Sequence, residues 1–238
     1  MPRETLTRGQ IVRAAVELLD SDGIEGLSMR QLGGRLGSAA TSVYWHVQSK
    51  ENLVVLACDA VWEEIDLPDL DGTDWRGAAT TMAKGMYAMI LGHPWLVPAM
   101  STHLVYGPGK ARHDDHLLGV FETAGFTARD ADQATKVVFT FVLGTAVGAA
   151  SEAAWKARLS RGGGDEAERL QETITRMTEV AMRFPRLRAQ SEGWSADDQG
   201  VTAEHDLDFG LQTILDGLQV QLDARSGVGC TEPCSGPG

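Results

Sequence analysis

The chain of 238 residues is 43% hydrophobic and 23% charged, which is typical of a folded soluble protein with one or two domains. The apolar stretch at residues 137–151 has no charged residue, but it is shorter than the roughly 20 residues that span a bilayer. The N-terminus has no apolar segment typical of a signal peptide, and three cysteines do not make a disulfide framework, so we expect a cytoplasmic protein with no membrane partner.

The net charge of −12 is distributed unevenly along the chain. Residues 1–50 carry six Lys/Arg and five Asp/Glu, whereas the remaining residues carry 15 and 28. The acidity therefore belongs to the C-terminal body, and the N-terminal head is slightly basic. Contact with phosphates needs local positive charge that faces the duplex, so the overall charge does not exclude a nucleic-acid partner.

Apolar residues recur at helical spacing along the chain and strand signals are scarce, which predicts an all-α fold. We expect a three-helix head at residues 1–50, with Thr7, Ser28 and Ser49 as N-caps. Gly33 and Gly34 inside the second helix each cost about 1 kcal/mol relative to Ala, so that helix depends on its neighbours. The predicted head helices are 8–19, 29–36 and 39–47, and a fourth helix at 51–67 connects the head to the body.

The body is predicted to occupy residues 68–224 and to be helical throughout. Residues 68–73 have the composition of a linker, residues 185–202 are expected to form a mobile loop, and residues 225–238 a disordered tail. Cys58 falls on an apolar helical stretch and is expected in the core, whereas Cys230 and Cys234 lie in the tail with too few partners for a metal. The predicted body helices are 74–92, a short helix after Pro94, 111–124, 130–158, 165–183 and 203–223.

The second and third helices have the features of a helix-turn-helix motif. Gly37 frees the turn between them, so the third helix can enter the major groove. Hydroxyls and phenols reach phosphates and base edges, a small residue such as Ala40 fits a thymine methyl group, and helix N-termini bind phosphate. The DNA-facing residues predicted on these grounds are Ser28, Arg30, Ala40, Thr41, Ser42, Tyr44, Trp45, His46 and Lys50.

The alternative for these residues is a helical hairpin without a DNA-binding role. It applies most to Trp45, because Trp usually buries most of its ring. For Arg30 and Lys50 the alternative is a solvated surface charge.

Residues 23–54 resemble the DNA-binding domain of the tetracycline-repressor (TetR) family. The resemblance is carried by Gly23-Ile24-Glu25-Gly26-Leu27, the frame Ser28…Leu32…Leu36-Gly37, Tyr44-Trp45-His46-Val47 and Ser49-Lys50-Glu51-Asn52-Leu53. It implies that Ser28, Arg30, Ala40, Thr41, Ser42, Tyr44, His46 and Lys50 face DNA. Ala40 departs from the polar residue familiar in that family, so the operator sequence is not implied. The body resembles the tetracycline-repressor C-terminal domain more weakly, at Asp71-Gly72, Trp75, His93, Gly125-Phe126 and Phe209-Gly210-Leu211…Gly217-Leu218.

Two heads that read a palindrome would supply the contact that one small head lacks, so we expect a homodimer. The last helix has an apolar stripe at helical spacing, and glycines one or two turns apart on it and on the helix near residues 137–151 would allow a close approach. Two such helices from each subunit would form a four-helix bundle, although each could instead be intrachain core. The predicted interface residues are Gly144, Gly148, Leu207, Gly210, Leu211, Ile214, Gly217 and Leu218.

The resemblance also implies a small-molecule pocket in the body. Positions similar to the family's ligand contacts hold Met82, Met86, Met100 and His103, and thioethers there argue against magnesium–tetracycline and for a larger, more apolar ligand. An ordinary core position is the alternative for each of these and for the rings that could join them, which are Trp95, Phe139, Phe141 and Trp155.

His113 and His116 lie one helical turn apart and could share a metal ion, but we expect an exposed polar turn there and predict no metal and no cofactor. The chain has no Gly-rich phosphate loop and no HExxH motif. We therefore expect a homodimeric TetR-family repressor, not an enzyme, that binds a palindromic double-stranded DNA operator and is released by a small, largely apolar effector such as an antibiotic or a metabolite. The alternatives are an activator of the same fold, or a helical ligand-binding protein or enzyme with an unused head.

Overall fold

The computed structural model describes residues 6–72, 74–161, 164–193 and 203–228, and these segments contain helices and no strand. The predicted all-α fold is therefore confirmed. The helices are α1 (Arg8–Gly26), α2 (Met29–Arg35), α3 (Ala40–Val47), α4 (Lys50–Trp62), α5 (Trp75–Gly92), α6 (Leu96–Thr102), α7 (Pro108–Thr123), α8 (Ala128–Arg161), α9 (Gly164–Ala181), α10 (Pro185–Gly193) and α11 (Ala203–Val228).

Helices α1 to α3 form a small head around its own apolar core. Thr7 caps α1 in a reciprocal capping box with Gln10, which satisfies amide groups that the first helical turn leaves free. One face of α1 packs against α4, and α2 packs against α3. The fully buried side chains at these contacts are Ile11, Ala15, Leu18, Leu32, Val43, Val47 and Leu53.

The turn between α2 and α3 depends on two glycines. Gly37 has φ +60°, a backbone conformation that is unfavourable for residues with a side chain. A Cβ atom on Gly33 would lie 2.8 Å from the carbonyl oxygen of Ser38. Gly33 is thus required for the close approach of α2 to the turn. This packing role is in addition to the helix-propensity cost that the sequence predicts for Gly33.

Helix α8 is the centre of the body and packs against α5, α7 and α11. One stripe of small and branched residues on it is buried, namely Ala131, Ala134, Val138, Val142 and Ala146. The segment Ala128–Ser151 is by itself long and apolar enough to cross a membrane, with a mean hydropathy of 1.4, but soluble core helices meet the same criterion. In this chain it packs against three other helices, and 28% of its apolar window is buried.

Several details differ from the sequence predictions. Residues 185–193 form α10 rather than a loop, because Pro185 suits a first helical position and strong helix formers follow it. Helix α1 continues as a short turn past a kink at Gly23, and α11 extends to Val228.

Cys58 is fully buried as expected, and burial raises its thiol pKa to about 12, so it is an inert core residue. Cys230 and Cys234 lie outside the described residues.

Candidate functional site: an exposed recognition helix and a body cavity

Helix α3 buries one face in the head and turns the opposite face outward. Val43 and Val47 are fully buried, whereas Tyr44 is 45% exposed and Trp45 is 81% exposed. Thr41 and Ser42 are exposed as well, and Ala40 and His46 are half-buried. Exposure of most of an indole ring to water is unfavourable, so packing within the chain does not explain the position of the Trp45 side chain.

The Trp45 and His46 rings contact each other edge to face, with centroids 4.9 Å apart. Such aromatic pairs stabilise each other modestly and restrict the rotamers available to each ring. The outer face of α3 therefore presents a partly ordered set of hydroxyls and rings. These are groups that can reach phosphates and base edges without large side-chain reorganisation.

The junction of α3 and α4 is a tight turn with unusual backbone geometry. Gln48 has φ +65° and ψ −51°, and the Ser49 amide donates to the Val47 carbonyl at 2.8 Å. This geometry is that of a classic γ-turn, which is strained for a residue with a side chain. The Asn52 side chain donates to the same carbonyl at 2.9 Å, which helps to hold the turn.

The predicted phosphate-binding groups lie at the N-termini of α2 and α4. Ser49 caps α4 by accepting from the Asn52 amide at 3.0 Å, and Lys50 follows it at the first helical position. Ser28 is the N-cap of α2 but makes no side-chain capping bond, so its hydroxyl is available to another partner. Arg30 is exposed on α2. These positions place amide groups and two cations beside α3, as an anionic ligand requires.

The predicted dimer residues divide between the two faces of α8 and α11. Leu207, Leu211 and Leu218 are buried within the chain, so the apolar stripe of α11 belongs to the intrachain core. Gly210 lies against the Phe141 ring, where a Cβ atom would lie 2.2 Å from Cζ, and Ile214 is half-buried against the core. The positions at which an added Cβ would meet only open space are Gly144, Gly148 and Gly217.

The open face of α8 and α11 also carries exposed apolar side chains, which the sequence reasoning did not single out. On α8 these are Val137 and Val147, and on α11 they are Phe209 and Val220, at 73% and 68% exposure. Their helical spacing relative to the buried stripes could have identified them, because they lie on the face opposite to the core.

A cavity of about 370 Å³ lies between α5, α7 and α8. Met82 and Met86, from the positions that the resemblance implied, line it, and so does Phe139, one of the rings predicted to join them. Leu117, Leu118 and Val138 complete its apolar lining. Its polar lining is Lys110, His113, Asp114, Asp132, Thr135, Lys136 and Thr140. The cavity thus combines thioether and ring surfaces with a few polar groups, which is the usual make-up of a small-molecule site.

Three further predicted ligand residues are placed elsewhere in the part of the chain that the structure describes. Trp95 is buried and its indole N–H donates to Asp20 at 2.6 Å, Met100 is half-buried against the core, and His103 contacts the Ala99 carbonyl. The side chain of Trp155, on α8, lies outside the described residues.

The paired histidines of α7 have separate surroundings. His113 is buried, not in an exposed turn as predicted, and its ring lies 4.9 Å from that of Trp62. His116 contacts the Pro68 carbonyl at 2.8 Å. Across the segments that the structure describes, no three His, Cys, Asp or Glu side chains are placed to share a metal ion.

Sequence reasoning missed a polar contact between the head and the body. His93, at the end of α5, meets Asp20 of α1 through Nδ1 at 2.7 Å and Glu64, just after α4, through Nε2 at 3.0 Å. Burial opposes the charged form of His93, but the hydrogen bonds to the two carboxylates outweigh it and raise its pKa above the ordinary value. Both ring nitrogens face acceptors, so the geometry suits an imidazolium ion.

A second connection joins α4 to α7. The buried carboxylate of Asp59 on α4 accepts from the amides of Gly109 and Lys110, at 3.2 and 3.0 Å. It thereby satisfies amide groups at the start of α7, where a negative charge is favoured. The helix that leaves the head is thus fixed to a helix that lines the cavity.

Comparison with known proteins supports the two-part organisation. Residues 11–57 match the family of bacterial regulatory proteins named tetR, and residues 67–222 match the tetracyclin repressor-like C-terminal domain. The repressor DrrR1 of Streptomyces coeruleorubidus is 33% identical over 230 residues, which cover 95% of this chain and 82% of that protein. An HTH-type transcriptional regulator of Saccharopolyspora erythraea is 38% identical over 151 residues, so the alignment spans 63% of its length.

Solved structures show the same fold. ActR of Streptomyces coelicolor, in complex with actinorhodin, superposes with a TM-score of 0.72 at 22% identity and covers 92% of this chain and 97% of its own. A possible TetR-family regulator of Streptomyces coelicolor superposes with a TM-score of 0.69 at 25% identity over 90% of this chain. The chain therefore belongs to the TetR family, as a helix-turn-helix transcriptional regulator with a tetracyclin repressor-like C-terminal domain.

Proposed function

We propose that the protein is a homodimeric repressor that binds a palindromic operator through α3 and is released by a small molecule bound in the body cavity. The observation that carries the proposal is the outer face of α3, with Tyr44 and Trp45 exposed above a fully buried Val43 and Val47. A recognition helix needs this division between a packed face and a free face. The protein would act in the bacterial cytoplasm, by binding and not by catalysis.

The dimer is proposed to form through the open face of α8 and α11. The glycines at 144, 148 and 217 leave room for a close helix, and Val137, Val147, Phe209 and Val220 supply exposed apolar surface. Two helices from each subunit would then make a four-helix bundle about a two-fold axis. This arrangement leaves both heads on the same assembly, so that they can read two half-sites.

Release by an effector would use the contacts that connect the head to the body. A ligand between α5, α7 and α8 touches Lys110, whose amide is held by Asp59 of α4. A ligand that binds more tightly to a state with displaced heads shifts the population away from the DNA-binding state. A coupling free energy of 1–3 kcal/mol changes operator affinity by roughly 5–150-fold.

The test is a band shift on the DNA upstream of the protein's own gene, at about 0.1 M salt with excess competitor DNA. The proposal predicts a retarded complex that contains two chains and is lost in Tyr44→Ala. Thr123→Ala, at the exposed end of α7 and away from both α3 and the proposed dimer face, serves as a matched surface control. Binding without sequence preference would contradict the proposed function.

A further inference from the structure

The cavity contains buried polar atoms without hydrogen-bond partners. Among the described side chains, His113 Nε2 and Thr135 Oγ1 are two of the buried polar atoms that no protein group satisfies. His113 is 2% exposed, and both residues line the same cavity. A buried polar group left unsatisfied costs roughly 1–3 kcal/mol, so a bound molecule that satisfies such a group recovers this free energy.

The surroundings of His113 determine whether its unpaired nitrogen, Nε2, is a hydrogen-bond donor or an acceptor. Nδ1 lies 3.3 Å from Asp114. Burial opposes the charged form of Asp114, but its hydrogen bonds to His113 and Lys110 outweigh this and lower its pKa, so it is a carboxylate at neutral pH. A carboxylate only accepts, so we assign the proton of a neutral ring to Nδ1. Nε2 is then an acceptor that lacks a donor.

Thr135 differs from two other hydroxyl residues of α8. Thr145 and Ser151 on the same helix donate to the carbonyl four residues earlier, at 3.0 and 2.8 Å. Thr135 makes no such bond, although its oxygen is buried. Its hydroxyl is therefore free both to donate and to accept.

Aromatic rings surround these two groups. Phe139 lines the cavity, and its ring is stacked on Trp62 with centroids 6.3 Å apart, beside His113. The thioethers of Met82 and Met86 on α5 also line the cavity, and sulfur contacts aromatic rings favourably. The two lining cations, Lys110 and Lys136, are already paired with Asp114 and Asp132, each at 2.6 Å. The lining thus favours a flat, uncharged, aromatic occupant.

We propose that the effector is an aromatic molecule with a hydroxyl group, which donates its proton to His113 Nε2 and accepts from Thr135. The inference rests on the proposed role of the cavity as the effector site and names the ligand chemistry that it selects. A phenolic O–H supplies the donor that His113 lacks and an oxygen for Thr135 in one group. The two residues determine specificity, since an apolar ring without the hydroxyl would leave both unsatisfied.

The test compares two probes of the same ring system by equilibrium dialysis against the full-length protein. 2-Naphthol can donate a hydrogen bond, whereas 2-methoxynaphthalene retains the rings and the oxygen but cannot. We expect 2-naphthol to bind about tenfold more tightly, which is the difference that one hydrogen bond of ordinary strength produces. In His113→Phe the preference falls to within about twofold, because the acceptor for the hydroxyl proton is gone. Thr135→Val weakens the binding of both probes, since each has an oxygen that accepts from Thr135. Thr140→Val, at another lining threonine, changes neither the affinities nor the preference.

A second measurement separates specificity from folding. Because Thr135 Oγ1 has no hydrogen-bond partner in the free protein, Thr135→Val leaves the melting temperature unchanged or raises it, whereas a structural role would make the substitution lower it. Equal affinity for the two probes, absence of binding by both, or a preference that survives His113→Phe would overturn the inference. The operator band shift is done without the probes, so it tests the proposed repressor function independently of the ligand inference.

Discussion

The contact of His93 with Asp20 makes a quantitative prediction for Asp20→Asn. The substitution keeps the size of the side chain but removes the charge that faces His93 Nδ1 at 2.7 Å. Hydrogen bonds to charged groups contribute roughly 1.5–3 kcal/mol, and the carboxylate of Asp20 is 35% exposed, so solvent screening reduces the value. We expect a loss of about 2 kcal/mol in the free energy of unfolding at pH 6.

The loss depends on pH with a defined sign. The pKa of His93 is higher in the folded protein than its ordinary value of about 6.5, so the contact contributes fully below that pH. Its contribution disappears as the pH rises through the folded-state pKa of His93. The difference between wild type and Asp20→Asn should therefore be largest near pH 6 and smallest near pH 9.

Urea unfolding followed by circular dichroism at several pH values measures this difference. Glu25→Gln is the matched control, because Glu25 is an exposed acid of the same helix. It removes the same charge and should change stability by less than about 0.5 kcal/mol at every pH. A difference for Asp20→Asn that does not vary with pH, or that equals the control, would refute the role assigned to His93.

Three further predictions concern the head. Gly33→Ala should lower the free energy of unfolding by about 1–3 kcal/mol, because its Cβ atom would meet the Ser38 carbonyl oxygen. In Gly34→Ala the added Cβ atom meets open space, so the same denaturation assay should show a free energy of unfolding that is higher by up to about 1 kcal/mol. Gln48→Gly should stabilise the head by about 1 kcal/mol, since glycine tolerates the positive φ; a lower melting temperature would argue against strain. Trp45→Ala should reduce operator affinity about tenfold with no loss of melting temperature, because the ring is 81% exposed, and unchanged affinity would remove Trp45 from the interface.

The head could be predicted from sequence because its determinants are local. Thr7, Ser49 and Gly37 act on neighbouring backbone groups, so their capping and turn roles can be read from their spacing. The buried faces of short amphipathic helices follow from periodicity in the same way, so the spacing predicts the buried Val43 and Val47 of α3.

The body was harder because periodicity does not identify the partner of an apolar stripe. The leucines of α11 have the spacing of an interface, but the stripe packs on α8 of the same chain. The contact of His93 with Asp20 joins residues 73 positions apart, and no local pattern indicates it. The burial of His113 likewise depends on α7 packing against α4, which two histidines one turn apart do not reveal.

Selection of binding sites from a pool of random double-stranded oligonucleotides tests the central claim most directly. If α3 reads DNA in a two-fold dimer, the enriched sequences will be inverted repeats whose half-sites are centred one helical turn of DNA or a multiple of it apart. Substitution of Tyr44 by Ala will abolish the enrichment. A pool that remains random after selection with the wild-type protein would contradict the account.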